Sequence, residues 1–128
     1  MHLKILLLIG TGSFIGGVSR YLLSQLIQNK SLTAFPFGTL SVNLVGCLLI
    51  GIVFGLAEKG NISPEMRLFF ATGLLGGFTT FSAFSSETVG LINSAQYNYA
   101  IIYVLASVLI GFILTFLGML AIKLILMH

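Results

Sequence analysis

The stretch GLLGGFTTFSAFS, residues 73–85, places unusual side chains at the centre of an apolar segment. The segment is apolar enough for a lipid bilayer, yet this part of it holds paired glycines, paired threonines, two serines and three phenylalanines. Glycine loosens a helix, and a hydroxyl group in lipid has no water to bond to. These residues therefore need internal partners or a watery cavity.

The whole chain has the composition of a membrane protein. Of its 128 residues, 57% are hydrophobic and 7% are charged, whereas soluble domains carry roughly 25% charged residues. Uncharged runs cover residues 39–57, 68–86 and 99–122, and a further apolar run, 5–19, continues past Arg20. A hydrocarbon core is crossed by about 20 residues of helix. We therefore predict an all-α membrane protein with four transmembrane helices.

Turn-forming residues indicate where these helices end. Residues 29–38 and 58–61 separate the first three spans, and residues 93–96 separate the last two. Ser63 followed by Pro64 is typical of a helix start, with serine as the N-cap. We predict a single transmembrane domain over residues 1–128, with spans at about 3–27, 38–57, 66–92 and 99–125.

Several other features exclude classes of function. The apolar run of the first span follows Lys4, as the apolar part of a signal peptide follows its basic residues. However, the run is long and no small-residue cleavage site ends it, so we expect that this span is not cleaved off. The single cysteine, Cys47, excludes an internal disulfide and a cysteine-based metal site. The formal net charge is +3, but the basic residues are scattered, so nucleic acid is not an expected partner.

Glycines recur at four-residue spacing, which lets membrane helices approach closely. The pairs are Gly12 and Gly16, Gly51 and Gly55, and Gly73 and Gly77. They favour tight packing within the chain, contact with a second copy, or both.

The basic residues give only a weak preference for one orientation. Four spans put both termini and the middle loop on one side of the membrane. That side holds four basic residues and the other side two: Lys4, Lys59, Arg67 and Lys123 against Arg20 and Lys30. Because loop lysines and arginines set orientation, we expect insertion both ways round, which permits an antiparallel dimer.

Polar and aromatic residues repeat along one face of three spans. The residues are Thr39 and Asn43 in the second span, Phe81 and Phe84 in the third, and Tyr103, Ser107, Gly111 and Thr115 in the fourth. Together they can line a narrow path with neutral hydrogen-bond donors and ring edges.

Each of these residues also has a simpler interpretation. Asn43 alone is as well explained as a hydrogen bond between helices. Threonine often bonds back to its own helix, which we expect for Thr115. Phenylalanines in a membrane segment commonly face lipid or pack.

A path of this kind suits a small anion. Within spans two to four, no acidic residue comes before Glu87. This absence argues against a cation pore with a carboxylate ring. A small multidrug exporter would need an acidic residue in the first span, and a lipid-packing subunit would leave the polar faces unexplained. The histidines, His2 and His128, are terminal, and we find no nucleophile–base set, so we expect no enzymatic activity.

Three motifs resemble those of the Fluc (CrcB) fluoride channel family. GGFTTFSAFS, residues 76–85, is similar to that family's GGxTTFSTFS. GTLSVNLVG, residues 38–46, resembles its GTLxVNxxG, and GGVSRY, residues 16–21, resembles its first-helix GxxxRY/W segment. The motifs occur in the family's order and spacing over nearly the whole chain.

The resemblance implies a dual-topology homodimer of inverted subunits in the cell membrane that exports fluoride passively and so reduces its toxicity. Hydrogen fluoride enters acidified cells uncharged and dissociates, and the channel lets the trapped ion leave. The family's third helix is broken at the membrane centre, which implies that the carbonyls of Gly76 and Thr79 hold a central Na⁺, two from each copy. Paired glycines ease such unwinding.

The resemblance also implies roles for the polar faces. It places Phe81 and Phe84 in the fluoride path and Asn43 as an amide donor along it. Tyr103 and Ser107 match a polar track on the fourth helix, and Thr39 lies near the other end. Arg20 faces a vestibule, or it ties helices together or snorkels. The role of Glu87 stays open.

The chain departs from the family pattern at three positions. Gly111 stands where many relatives have a serine on the polar track, so one donor is expected to be missing or replaced by water. Ala83 and Phe78 replace a usual threonine or serine and a common leucine.

Overall fold

The computed structural model describes residues 2–128, and these form helices joined by short loops. The helices are α1 (Leu3–Gln28), α2 (Phe37–Glu58), α3 (64–78), α4 (Phe81–Asn93) and α5 (Tyr97–Ile125). Helices α3 and α4 share the third span, Pro64–Asn93, so four stretches of the described chain are long and apolar enough to cross a membrane. The prediction of an all-α protein with four such helices is confirmed.

The start of α3 follows from its first residues. The hydroxyl of Ser63 accepts a hydrogen bond from the amide of Met66 at 3.2 Å, and Pro64 occupies the first helical position. Proline fits there because its missing N–H would have no partner in the helix. The predicted N-cap is confirmed.

The third span departs from α-helical geometry twice. Leu68–Leu75 forms a π-helical segment, wider than an α-helix, and Gly76–Phe78 returns to α geometry. Thr79 and Thr80 are then extended, with φ/ψ of −97°/158° and −149°/118°, before α4 begins at Phe81. Thr80 serves as the N-cap of α4, because its hydroxyl accepts the amide of Ala83 at 3.2 Å.

Glycines bring two pairs of helices into direct backbone contact. A Cβ on Gly16 of α1 would overlap the carbonyl of Leu74 in α3, and one on Gly51 of α2 would overlap the carbonyl of Thr115 in α5. Gly118 in turn lies against the backbone of α2. The predicted tight packing within the chain is therefore confirmed for the spaced glycines Gly16 and Gly51.

The side-chain amide of Gln28 joins the end of α1 to the start of α2. The side chain of Gln28 donates to the carbonyl of Phe35 at 3.1 Å and accepts the amide of Gly38 at 3.0 Å. The ring of Phe35 is buried against Tyr99 and Tyr103 of α5. The loop between α1 and α2 is thereby fixed over the start of the fourth span.

Candidate functional site

Asn43 of α2 binds both polar groups of the Thr80 backbone. Its Oδ1 accepts the Thr80 amide at 2.8 Å, and its Nδ2 donates to the Thr80 carbonyl at 3.1 Å. The Thr80 amide has no acceptor in either helix, because the chain is extended here, so another element must supply one. The interpretation of Asn43 as a bond between helices is therefore supported. One Nδ2 hydrogen remains for a further acceptor.

The carbonyls of Gly76 and Thr79 are among those that lose their usual helical donors at this point. In a continuous helix the amide of Thr80 would bond to the carbonyl of Gly76, but here it bonds to Asn43. The amide of Ala83 would bond to the carbonyl of Thr79, but here it bonds to the Thr80 hydroxyl. The carbonyls of Gly76 and Thr79 are thus available to another partner.

The two extended residues also bring two helix ends together. The C-terminal end of α3 carries partial negative charge on its last carbonyls, and the N-terminal end of α4 carries partial positive charge on its first amides. Helix α4 has 13 residues, long enough for this effect. One end therefore favours a cation and the other an anion, within a few residues of each other.

An open groove of about 570 Å³ lies beside the extended residues. It collects four of the predicted pathway residues, Asn43, Phe81, Phe84 and Ser107, together with Gly76 and Thr79. The remaining lining is mostly apolar and includes Cys47 and Phe112. Phe81 is 79% exposed, so the groove is open beside this residue.

Thr39 and Tyr103 do not line this groove; both bind Glu87 instead. The hydroxyl of Thr39 donates to Glu87 Oε1 and that of Tyr103 donates to Oε2, each at 2.7 Å. Tyr103 is fully buried and Thr39 is 8% exposed. Glu87 therefore joins α2, α4 and α5 at one point, which the sequence did not predict.

A row of aromatic rings connects the groove to the Glu87 cluster, which comprises Thr39, Glu87 and Tyr103. The ring centroids of Phe81 and Phe84 are 5.6 Å apart, and those of Phe84 and Tyr103 are 5.0 Å apart in an edge-to-face arrangement. Tyr103 then packs against Phe35 at 5.7 Å. Phe81 and Phe84 thus lie side by side, as predicted, and the row of rings extends from them through Tyr103 to Phe35.

The residues of the fourth-span stripe differ in their surroundings. Within the described chain, the buried hydroxyl oxygen of Ser107 has no hydrogen-bond partner. Gly111 is buried, and a Cβ there would lie 3.3 Å from the sulfur of Cys47. The expectation that Thr115 bonds to its own helix is wrong, because its hydroxyl donates to the Cys47 carbonyl at 3.0 Å. The close approach of α5 to α2 brings that carbonyl within reach.

Arg20 lies outside the groove and contacts α3. Its Nε donates to the carbonyl of Gly77 at 3.1 Å, across 57 positions of sequence. Arg20 was expected to face a vestibule, to tie helices together or to snorkel, and this contact supports the role in which it ties helices together. The signal was present in the sequence, because an arginine in an apolar run must find internal acceptors.

Comparison with known proteins gives one consistent family. The family model described as "CrcB-like protein, Camphor Resistance (CrcB)" matches residues 7–119. A relative from Flavobacterium psychrophilum, named fluoride-specific ion channel FluC, is 43% identical over 122 residues, which cover 94% of this chain and 98% of the relative.

Two further relatives carry the same name. The protein from Methylobacillus flagellatus is 46% identical over 114 residues, covering 88% of this chain and 89% of its own. The protein from Thermus thermophilus is 43% identical over 112 residues, covering 88% of this chain and 90% of its own. The family match, residues 7–119, includes every residue of the groove and of the Glu87 cluster.

Proposed function

Because the chain belongs to the CrcB-like family of fluoride-specific ion channels, we propose that two inverted copies of it form a fluoride-selective channel with two antiparallel pores and a central Na⁺. The family makes it a multi-pass membrane protein and an ion channel, not an enzyme. The proposed channel exports fluoride passively from the cytoplasm.

The open groove is the observation that carries this proposal. It holds four predicted pathway residues and both predicted cation-binding residues, but it lacks a wall on one side. Packing within one copy does not require glycine at position 76, since the nearest atom to a Cβ there is the Ala71 carbonyl oxygen at 3.6 Å. A second copy that covers the groove would complete the pore and explain a small residue at this position.

The carbonyls of Gly76 and Thr79 suit a cation. Their helical donors are taken by Asn43 and by the Thr80 hydroxyl, and a freed carbonyl in a membrane needs a partner. Oxygen ligands of this kind occur where transporters bind Na⁺ at interrupted helices. A sodium ion held by these carbonyls from two copies would neutralise the helix ends and join the copies.

Fluoride would exchange its water for donors along the groove. The free hydrogen of Asn43 Nδ2 and the unpartnered hydroxyl of Ser107 can each donate to an anion. Phe81 and Phe84 both line the groove, and the edges of aromatic rings carry partial positive charge. The first amides of α4 add to the attraction. A narrow path would favour a small dehydrated halide over chloride.

The Glu87 cluster would lie at one end of each path. Tyr103 and Thr39 both donate to the carboxylate, so an arriving fluoride would have to share or take over these hydroxyls. The cluster is continuous with the groove through the contact of Phe84 with Tyr103. This arrangement supports the placing of Thr39 and Tyr103 on the path, after the groove residues.

An inverted arrangement agrees with the weak orienting bias of the basic residues, four on one side and two on the other. The proposal is tested by fluoride efflux from liposomes that contain the purified protein, with chloride efflux as the control. We expect fluoride to leave and chloride to stay. Equal release of both ions, or release of neither, would contradict the proposal.

A further inference from the structure

The guanidinium of Arg20 reaches the backbone at the point where α3 ends. Its Nε lies 3.1 Å from the carbonyl oxygen of Gly77. Helices α1 and α3 are closely packed here, because a Cβ on Gly77 would overlap the backbone of Ser13 in α1. Arg20 is half-buried in this contact. The interaction is therefore a fixed part of the α1–α3 interface.

The Gly77 carbonyl is one of the last four of α3, which have no partner within the helix. Its donor in a continuous helix would be the amide of Phe81, but the extended residues Thr79 and Thr80 separate α3 from α4. The neighbouring Leu75 carbonyl keeps its helical bond to the Thr79 amide at 3.0 Å. Arg20 thus satisfies a carbonyl that lies, along the chain, between the freed carbonyls of Gly76 and Thr79.

We propose that Arg20 is a positioning residue for the cation site. By binding the Gly77 carbonyl, it holds the backbone turn that carries the carbonyls of Gly76 and Thr79 and keeps the Gly77 oxygen out of the cation site. This inference rests on the proposed sodium site. It differs from a vestibule role, in which Arg20 would act only through its charge and its hydrogen bond would not matter.

Two substitutions separate the bond from the charge. In Arg20→Gln, the Nε2 of glutamine stands the same number of bonds from Cα as the Nε of arginine, so a donor remains and the charge is lost. In Arg20→Met, a methyl group stands at that place, so donor and charge are both lost. Arg67→Met is the matched control, because Arg67 lies over the Phe54 ring, 4.7 Å from its centroid, away from the end of α3.

Thermal unfolding of the purified dimer is followed by the circular dichroism of its helices at a series of Na⁺ concentrations. The quantity compared is the half-stabilising concentration, which is the Na⁺ concentration that gives half of the maximal rise in unfolding temperature. Sodium is exchanged for N-methylglucamine at constant ionic strength. A ligand that binds only the folded state raises its unfolding temperature. We expect Arg20→Gln and Arg67→Met to match the unsubstituted protein. For Arg20→Met, we expect the half-stabilising concentration to rise about tenfold, the effect of losing one hydrogen bond.

The inference is overturned if Arg20→Met keeps the unsubstituted Na⁺ dependence, or if Gln and Met raise the half-stabilising concentration equally. Should the Met variant not yield a dimer, Arg20→Lys replaces it. Lysine keeps the charge but moves the nitrogen one bond further from Cα. We therefore expect the half-stabilising Na⁺ concentration to rise for Arg20→Lys and to stay unchanged for Arg20→Gln. The reverse order would overturn the inference. Absence of any Na⁺ effect on the unsubstituted protein would instead refute the sodium site itself.

Discussion

Asn43 and Thr80 form a two-bond clamp between α2 and the extended residues of the third span, with distances of 2.8 and 3.1 Å. The clamp satisfies the Thr80 backbone and frees the Gly76 carbonyl at the same time. It therefore links two properties of the proposed channel, the shape of the third span and the cation site. Gln28 makes a similar clamp at the membrane edge, away from the groove.

Replacing Asn43 with serine is expected to abolish most of the fluoride flux. The shorter side chain cannot make both bonds, and a buried amide or carbonyl left without a partner costs about 1–3 kcal/mol. Gln28→Ser is the matched control, because it also removes a two-bond clamp but not at the groove. We expect fluoride efflux per folded protein to fall at least about tenfold for Asn43→Ser only. Similar fluoride efflux from both variants would contradict the proposal that Asn43 lies on the fluoride path.

Replacing Phe81 with isoleucine is expected to slow fluoride efflux while the fold persists. The substitution keeps an apolar side chain but removes the polarised ring edge. Phe14→Ile is the control, because Phe14 is 73% exposed and Phe81 is 79% exposed. Both variants are compared in liposomes at equal protein content. If the two lose flux to the same extent, the effect comes from the membrane-facing surface and not from the path.

The hydroxyls of Thr39 and Tyr103 are expected to act together on Glu87. Each single change, Thr39→Val or Tyr103→Phe, leaves the carboxylate with one donor, and we expect a loss of about 1–3 kcal/mol in unfolding free energy. The double variant leaves it with neither. Since both donors share one acceptor, the two losses should not add. Strict additivity in denaturant titrations would show that the donors act independently.

Gly16→Ala is expected to destabilise the chain, since a methyl group there meets the Leu74 carbonyl. Overpacking at such a site costs about 1–3 kcal/mol. Gly10→Ala is the matched control in the same helix, because nothing lies within 4 Å of a Cβ at position 10. Denaturant midpoints of the two variants give the comparison. Equal midpoints would mean that α1 and α3 can separate without loss.

The helices of this protein could be predicted because lipid imposes a simple rule on sequence. Uncharged runs of about 20 residues must be helical to satisfy their own backbone, and the Ser63–Pro64 start follows from capping chemistry. The close approach at Gly16 also follows from spacing, since Gly12 and Gly16 lie on one face.

The partners of the polar residues were harder to predict. Periodicity puts Thr39 and Tyr103 on suitable faces, but it does not say that both hydroxyls meet Glu87. Thr115 illustrates the same limit, because its choice of the Cys47 carbonyl depends on how closely α5 approaches α2. Such contacts depend on the distance between helices, which sequence spacing alone does not give.

The most direct test of a pore built from two copies is to determine how many chains form one functional channel. Purified protein is diluted into liposomes until many vesicles receive none, and the fraction that releases fluoride is measured against protein density. We predict that the functional mass corresponds to two chains of 13.7 kDa, with chloride retained in the same vesicles. A functional mass of one chain, or loss of chloride together with fluoride, would contradict a pore built from two copies.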